Sequence, residues 1–304
     1  MVGETVTLSN ALEHFPAGRG RKALIDLVAP LDFAGRISGE DARRIAAAAG
    51  LDGDALLVAL VPLATAYARP VISEFCVGAV VRGLSGALYC GANLEFAGTS
   101  LWHSLHAEQA AVAQAWAAAE SGIDALAVGT VPCGLCRQFL LELGDPANLA
   151  VLVAGTPRAT LAEMLPHGFG PAALGRPGGL LGCAPPLLAL EGRDQDPLTL
   201  AALDAAQRSY APYTGAAAGI ALKLRSGAVV DGSYAESVAH NPSLAPLAMA
   251  LSRRVFAGLE ADEIAAATLV AVGHAQIDHT AQARTLLAAV APGVRLHLRA
   301  AQRA

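Results

Sequence analysis

The chain has 304 residues, of which 54% are hydrophobic and 15% charged, and its formal net charge is −5 from 21 basic and 26 acidic side chains. This length suggests about two domains, and charges spread along an apolar chain exclude a disordered protein. The acidic balance argues against a nucleic-acid binder, because the dense basic cluster Arg19, Arg21 and Lys22 is too small to follow a phosphate backbone.

A membrane protein is also not expected. A spanning helix needs about 20 apolar residues. The most apolar stretch, residues 55–68, contains Pro62 and lies between Asp54 and Arg69. The N-terminal sequence MVGETVTLSN has neither the basic region nor the apolar run of a signal peptide. We therefore expect a cytoplasmic protein without a membrane partner.

Residues 1–50 predict a small N-terminal helical segment. Ser38, with Asp41 three residues later, forms a capping-box pattern at a helix start, and Gly50 is typical of a helix end.

From residue 51, predicted helices alternate with short apolar runs. Helices are predicted at 55–67, at about 105–120 and at about 134–143, and strands at CVGAVV, GALYC, ALAVGTV and LAVLVAG. This alternation indicates an α/β fold with a layered sheet. Residues 155–198 contain many Gly and Pro residues and are predicted to form a connector.

The second half of the chain repeats the first. At a constant shift of 141 residues, LSGALYCGANLE matches RSGAVVDGSYAE without a gap. The paired positions are Gly78 and Gly219, Gly86 and Gly227, Gly91 and Gly232, and Glu95 and Glu236. Such self-similarity predicts a duplicated domain, with copies at 51–154 and 199–304.

The copies differ at two short polar motifs, HAEQ at 106–109 and CGLC at 133–136. The same shift places Leu247 at His106 and Met249 at Glu108. It also pairs Cys133 with His274 and Cys136 with Ile277. Scaffold residues should survive in both copies, as the glycines do, so the loss of this polar set indicates a functional site in the first half only.

These motifs suit a zinc site. Thiolate and imidazole groups are the usual zinc ligands, and His106, Cys133 and Cys136 supply three of them. Three protein ligands leave one tetrahedral position open, where zinc lowers the pKa of a water molecule. Glu108 is placed to accept the proton of that water. His103 is the nearest candidate for a fourth ligand that would close the site.

Neither motif is specific alone. H-x-E is common by chance, and C-x-x-C can be a zinc clip, a redox pair or chance. The order H-x-E followed by P-C-x-x-C is the signature of zinc deaminases, which favours a reaction centre with one zinc ion per chain.

The stretches SEFCVGAVVRG, YCGANLEFAG, LHAEQAAVAQAW and TVPCGLCRQFLLEL resemble cytidine deaminase, and LPHGFGP and NPSLAPL resemble its longer, two-lobed bacterial and plant type. The resemblance covers all but about the first forty residues. It implies a three-layer α/β/α sandwich that is present twice, a homodimer, and zinc-dependent deamination of cytidine and deoxycytidine to uridine and deoxyuridine.

The resemblance also implies roles for single residues. His106, Cys133 and Cys136 bind zinc and Glu108 shuttles protons. The substrate contacts that it implies are Asn93 and Glu95 at the ribose hydroxyls, Phe75 near the pyrimidine and Phe169 in the partner subunit's site. For Phe75 an ordinary core position is the alternative. Glu236 has Tyr234 in place of a partner asparagine, which favours a structural role.

Two alternatives to cytidine deamination stay open. A zinc deaminase with this site could act on another aminated nucleoside or on nucleic acid, although the acidic charge and the Asn93/Glu95 pair argue against a polymer. The protein could also be a non-catalytic, zinc-stabilised nucleoside-binding protein, against which the intact Glu108 speaks.

Overall fold

The computed structural model describes residues 6–29, 33–176, 178–192 and 196–303. The chain divides into two compact units. Unit 1 comprises Met1–Glu95 and Leu105–Gly182, and unit 2 comprises Phe96–Ser104 and Cys183–Ala304.

Unit 1 begins with the predicted helical segment. Its elements are α1 (Leu8–His14), α2 (Arg19–Val28), β1 (Arg36–Ile37) and α3 (Gly39–Ala49). Ser38 caps α3 by accepting a hydrogen bond from Asp41 N–H at 3.1 Å, and Gly50 ends the helix with a left-handed φ of 68°. Both helix boundaries therefore agree with the sequence pattern.

The rest of unit 1 alternates helices and strands. Its elements are α4 (Gly53–Thr65), β2 (Gly78–Gly83), β3 (Leu88–Ala92), α5 (Ala107–Ala117), β4 (Ile123–Val128), α6 (Gly134–Leu140), β5 (Ala150–Val153), β6 (Ala159–Thr160) and α7 (Leu161–Met164). The six-stranded sheet has the order β1-β3-β2-β4-β5-β6, in which β4 and β5 are parallel and the other neighbours antiparallel.

Unit 2 repeats this plan. Its elements are β7 (Leu188–Leu190), α8 (Pro197–Gln207), β8 (Ala218–Leu224), β9 (Val229–Ser233), α9 (Pro246–Phe256), β10 (Ile264–Val272), α10 (Thr280–Val290) and β11 (Leu296–Arg303). The sheet order is β7-β11-β10-β8-β9, and β10 and β11 are its parallel pair.

The repeated glycines explain the layers of unit 1. A Cβ at Gly78 in β2 would overlap the backbone of Thr65 in α4, and a Cβ at Gly91 in β3 would overlap the backbone of Ala111 in α5. Gly78 lies opposite Ala92, the neighbour of Gly91, so the two glycines face opposite sides of the sheet. Helices α4 and α5 therefore cover opposite faces, which makes an α/β/α sandwich.

The same construction recurs in unit 2. A Cβ at Gly219 in β8 would overlap the backbone of Ala206 in α8, and a Cβ at Gly232 in β9 would overlap the carbonyl of Pro246 in α9. Gly219 lies opposite Ser233, so again the glycines face opposite sides. The predicted α/β/α fold, duplicated within the chain, is confirmed, and the glycines were retained because each helix packs directly on the strand backbone.

Two differences from the sequence pattern concern boundaries. Helix α6 ends at Leu140, before the predicted 143, because the N–H groups of Leu141, Glu142 and Leu143 each bond to the carbonyl three residues back instead of four. The predicted connector 155–198 also carries regular structure, since β6 and α7 lie in it and extend unit 1 while β7 belongs to the second sheet. The four-part domain division stays a prediction.

Among the described residues, no single helix has the length and hydropathy that a membrane span requires. Helices α3 and α4 meet that requirement only as a pair, and the pair is bent by 98°.

Candidate metal centre and substrate site

Two helix starts bring the predicted metal ligands together. His106 is the N-cap residue of α5, Cys133 is the N-cap residue of α6, and Cys136 lies in the first turn of α6. Nδ1 of His106 lies 3.4 Å from Sγ of Cys133 and 3.3 Å from Sγ of Cys136, and the two sulfur atoms are 3.5 Å apart. These side chains form the His/Cys metal cluster found among the described residues.

The cluster fits zinc. Tetrahedral bonds of about 2.3 Å to sulfur and about 2.0–2.1 Å to nitrogen place the donor atoms roughly 3.5–3.8 Å apart. The observed separations of 3.3 to 3.5 Å are close to those values. His103, the possible fourth ligand, is buried but does not belong to the cluster. The donors are thus three, as expected for a site with an open position.

The protonation of the ligands also suits a cation. Hydrogen bonds from Cys136 and His106 lower the pKa of the Cys133 thiol to about 3, which favours its thiolate form. The hydrogen bond to Cys133 raises the pKa of His106, and the shared proton and burial raise the pKa of Cys136. Without a metal, the cluster therefore holds protons that a zinc ion would displace.

Glu108 is the buried acid of the site. It lies in the first turn of α5, two residues after His106, and its exposed fraction is 4%. Burial raises its pKa, while interactions with the Cys136 thiol and His106 favour the carboxylate. A raised pKa makes this carboxylate a better proton acceptor than a solvent-exposed one, which suits a group that takes up and passes on protons.

Asn93 is tied to the loop before β2. Its Oδ1 accepts a hydrogen bond from Val77 N–H at 2.9 Å, and its Nδ2 donates to the carbonyl of Phe75 at 2.9 Å. A primary amide has two donor hydrogens and two acceptor lone pairs. Within the part of the chain that the structure describes, one donor and one acceptor of Asn93 are therefore left for a ligand.

Glu95 holds the same loop through both of its carboxylate oxygens. Its Oε2 accepts hydrogen bonds from the N–H groups of Ile72 and Ser73, both at 2.8 Å, and its Oε1 accepts the Ser73 hydroxyl at 2.5 Å. Partial burial would raise the pKa of Glu95, but these hydrogen bonds and the charge of His106 lower it. Glu95 is therefore an anionic acceptor within electrostatic range of a metal ligand.

The two predicted aromatic contacts differ in exposure. Phe75 is half-buried beside Asn93. Phe169 is 50% exposed, and its carbonyl accepts a hydrogen bond from Nε2 of Gln138 in α6 at 2.6 Å. The backbone of Phe169 is thus attached to the helix that carries Cys136, while its ring faces solvent.

The equivalent place in unit 2 is filled with apolar side chains. Leu247 and Met249 are buried in α9, and the ring of Tyr234 packs at 4.4 Å on His279. His279 is the N-cap residue of α10, so by its place in the fold it corresponds to Cys133. The constant shift that pairs Cys133 with His274 is therefore wrong here, because the loop before α10 is longer than the loop before α6.

Comparisons with known proteins agree with this geometry. Two family models, both described as the cytidine and deoxycytidylate deaminase zinc-binding region, match residues 53–152 and 161–284. The cytidine deaminase of Vibrio cholerae is 40% identical over 95% of this chain and 97% of its own length. That of Vibrio atlanticus is 42% identical over 93% and 95%, and that of Pectobacterium carotovorum 42% over 92% and 93%. Among solved structures, a cytidine deaminase from Burkholderia pseudomallei is 29% identical over 37% of this chain and 96% of its own, with a TM-score of 0.34.

The chain belongs to the cytidine deaminase family. The expected family, its two-lobed bacterial type and the zinc cofactor are confirmed by the two family models, the full-length relatives and the His/Cys/Cys cluster. The catalytic and substrate-binding roles of the single residues stay predictions.

Ser73 is a residue of the site that the sequence pattern did not single out. It lies in the stretch SEF, of which only Phe75 was assigned a role. The signal that could have found it is the repeat, since the shift of 141 places Thr214, another hydroxyl residue, at the position of Ser73.

Proposed function

We propose that this protein is an enzyme that deaminates cytidine and deoxycytidine, releasing ammonia and forming uridine and deoxyuridine. The observation that carries the proposal is the buried Glu108 next to a three-donor zinc cluster. The names of its full-length relatives support the same substrate.

The proposed mechanism assigns the zinc ion to His106, Cys133 and Cys136. When bound, zinc lowers the pKa of a water molecule from 15.7 toward about 7. Glu108 accepts one proton of the attacking water and delivers it to N3 of the pyrimidine while the water oxygen bonds to C4. It then takes the second proton of that oxygen and passes it to the amine, so that the C4–N bond breaks, ammonia leaves and the C4 carbonyl forms. The exposed fraction of Glu108, 4%, excludes competing solvent from this transfer.

The substrate contacts are proposals as well. Asn93 and Glu95 offer one donor and one anionic acceptor to the ribose hydroxyls, beyond the bonds that they make to the loop. Phe75, half-buried beside Asn93, packs against the pyrimidine. The exposed ring of Phe169 is free to reach the site of a second subunit, in a cytoplasmic homodimer. Sedimentation at micromolar concentration tests the dimer, and a monomer would refute it.

The reaction is tested by the ultraviolet absorbance of cytidine incubated with zinc-loaded protein at neutral pH. A catalytic change to the uridine spectrum is expected. Zinc-loaded protein that binds cytidine without converting it would favour the non-catalytic alternative. Tight, salt-sensitive binding of single-stranded RNA or DNA would favour a polymeric substrate.

Replacing Glu108 tests the proton shuttle. The Glu108→Gln variant keeps the size of the side chain but cannot accept a proton, so kcat should fall by a factor of about 10²–10⁴. Its zinc content should match the parent, because Glu108 does not belong to the cluster. Turnover within tenfold of the parent in a zinc-loaded variant would refute this role.

A further inference from the structure

The loop before β2 is folded around the carboxylate of Glu95. The Ser73 hydroxyl donates to Oε1 of Glu95 at 2.5 Å and accepts the N–H of Phe75 at 3.1 Å. The N–H groups of Ile72 and Ser73 both donate to Oε2. Ser73 is thus the side chain that joins the predicted sugar acceptor to the backbone of the predicted base contact.

The number of bonds limits how Glu95 can act. An ionised carboxylate has about four acceptor sites. Three of those of Glu95 accept from Ile72 and Ser73, so among the described residues one site on Oε1 is left. Since rotation of the carboxylate would break several charge-assisted hydrogen bonds, the remaining lone pair points in one fixed direction.

Unit 2 contains the same carboxylate-centred loop around Glu236, and there the fourth acceptor site of the carboxylate also has a donor. Oε2 of Glu236 accepts from the N–H groups of Tyr213 and Thr214, and Oε1 accepts the Thr214 hydroxyl at 2.6 Å. The Thr214 hydroxyl accepts the N–H of Ala216 at 3.1 Å, as Ser73 accepts that of Phe75. The fourth donor is the hydroxyl of Tyr234, 3.4 Å from Oε1.

The comparison with Glu236 indicates which kind of donor fits the remaining acceptor site on Oε1 of Glu95. In unit 2 a tyrosine hydroxyl donates to Oε1, and in unit 1 the residue at the place of Tyr234 is Asn93, whose amide bonds to Phe75 and Val77 instead. The unit 1 site therefore presents an unfilled acceptor where unit 2 carries a hydroxyl group. A hydroxyl of a bound ligand is the matching donor.

We propose that Ser73 is a positioning residue for sugar recognition: its hydroxyl fixes the Glu95 carboxylate so that one lone pair faces a ribose hydroxyl, and couples this acceptor to the backbone of Phe75. This inference rests on the proposed function, since it requires a nucleoside with its sugar at Glu95. Ser73 does not touch the reacting atoms and acts through Glu95.

The test compares cytidine with 2′,3′-dideoxycytidine, which has the same base and 5′-hydroxyl but lacks the 2′- and 3′-hydroxyls of the sugar. In Ser73→Ala, the Glu95 carboxylate loses its hydroxyl donor, and KM for cytidine should rise about tenfold, the value of one charge-assisted hydrogen bond. The kcat for cytidine and the KM for the dideoxy compound should change less than twofold. Ser73→Thr, which keeps the hydroxyl as Thr214 does, should restore the parent KM.

Thr214→Ala is the matched control, because it removes the equivalent hydrogen bonds from unit 2. It should lower the melting temperature about as much as Ser73→Ala and leave the preference for cytidine unchanged. If Ser73→Ala lost kcat/KM equally for both nucleosides, Ser73 would have only a structural role. The same conclusion would follow if Thr214→Ala lost the preference for cytidine over the dideoxy compound.

A failure of the proposed function is distinguishable from a failure of this inference. If the zinc-loaded parent converts neither nucleoside, the proposed function is refuted, and calorimetric binding of the same two nucleosides measures the preference directly. Parent protein that binds cytidine more tightly, with Ser73→Ala binding both equally, supports the inference. Equal affinities in the parent overturn it.

Discussion

At the scale of single residues, the recurring device is a carboxylate that accepts several N–H and O–H groups from a turn. Glu95 and Glu236 do this next to their loops, and Glu120 does it at the turn between β2 and β3. Glu120 is 5% exposed and accepts the Ser85 hydroxyl at 2.5 Å, the Tyr89 hydroxyl at 3.1 Å and the N–H of Ser121 at 3.1 Å. The ionised form, whose two oxygens only accept, suits these donors better than the protonated form, which carries a donor hydrogen itself.

The protonation of Glu120 should therefore be visible in the pH dependence of stability. Burial would raise its pKa, but the hydrogen bonds from Ser85, Ser121 and Tyr89 outweigh burial and lower it. A lowered pKa in the folded state stabilises the fold above the unfolded value of about 4.3, and this contribution is lost as the pH falls through the folded value.

The expected measurement is the free energy of unfolding between pH 7 and pH 3, for the parent and Glu120→Gln. The variant should be less stable by about 1–3 kcal/mol at pH 7, and the difference should shrink as the solution is acidified below about pH 4. Glu40→Gln, which removes an exposed carboxylate, is the control. A difference between parent and Glu120→Gln that is constant with pH would contradict the argument.

At the scale of elements, the site depends on how closely α5 approaches β3. Both His106 and Glu108 are carried by the start of α5, and that helix packs against the backbone of Gly91.

The outer edges of the two sheets differ in whether another strand covers them. β1 of the N-terminal segment pairs with β3, whereas in the described part of unit 2 no strand pairs with the outer edge of β9.

Gly91→Ala should displace α5, because the added methyl would overlap the backbone at Ala111. We expect a loss of about 1–3 kcal/mol of stability and a weaker affinity for zinc, measured by denaturant unfolding and by competition with a chelator. Gly232→Ala, the equivalent change in unit 2, should cost similar stability while zinc affinity stays at the parent value. If both variants lost the same zinc affinity, the contact between α5 and Gly91 would have no specific effect on the zinc site.

At the scale of the whole molecule, the two units share one fold, but the predicted zinc site lies in unit 1. Both units keep the glycine contacts, the sheet order around the parallel pair and the carboxylate-anchored loop. Among the described residues, the predicted metal ligands form their cluster in unit 1, while Leu247, Met249 and the Tyr234–His279 pair occupy the equivalent place in unit 2. In the described part of unit 2, no group of His, Cys, Asp and Glu side chains forms a comparable metal cluster.

The metal content should therefore be one zinc ion per chain, measured by elemental analysis of the purified protein. Cys136→Ala should lose this zinc, and His279→Ala should keep it. Removal of zinc by a chelator should abolish turnover and lower the melting temperature, because a ligand bound only by the folded state stabilises that state. Two zinc ions per chain would contradict the assignment of unit 2.

Much of this protein was accessible from local patterns. The motifs around His106 and Cys133 predicted the metal ligands, because the order and spacing of ligand residues are local properties of the chain. The shift of 141 residues predicted the duplicated fold, because each repeated glycine is required by a helix contact in its own unit. The start and end of α3 followed from Ser38 and Gly50, whose capping bonds span only a few residues.

Only the tertiary structure decided the features that depend on distant residues. Ser73 lies 22 residues from Glu95, and no local pattern shows that its hydroxyl bonds to that carboxylate. The correspondence of His279 with Cys133 depended on where α10 begins, since the preceding loop differs in length between the copies. The sequence by itself determined the family and the fold, and it predicted the zinc ligands. The three-dimensional packing decided which acceptors and donors remain for a ligand, because hydrogen bonds between loops that are far apart in the chain are made only after folding.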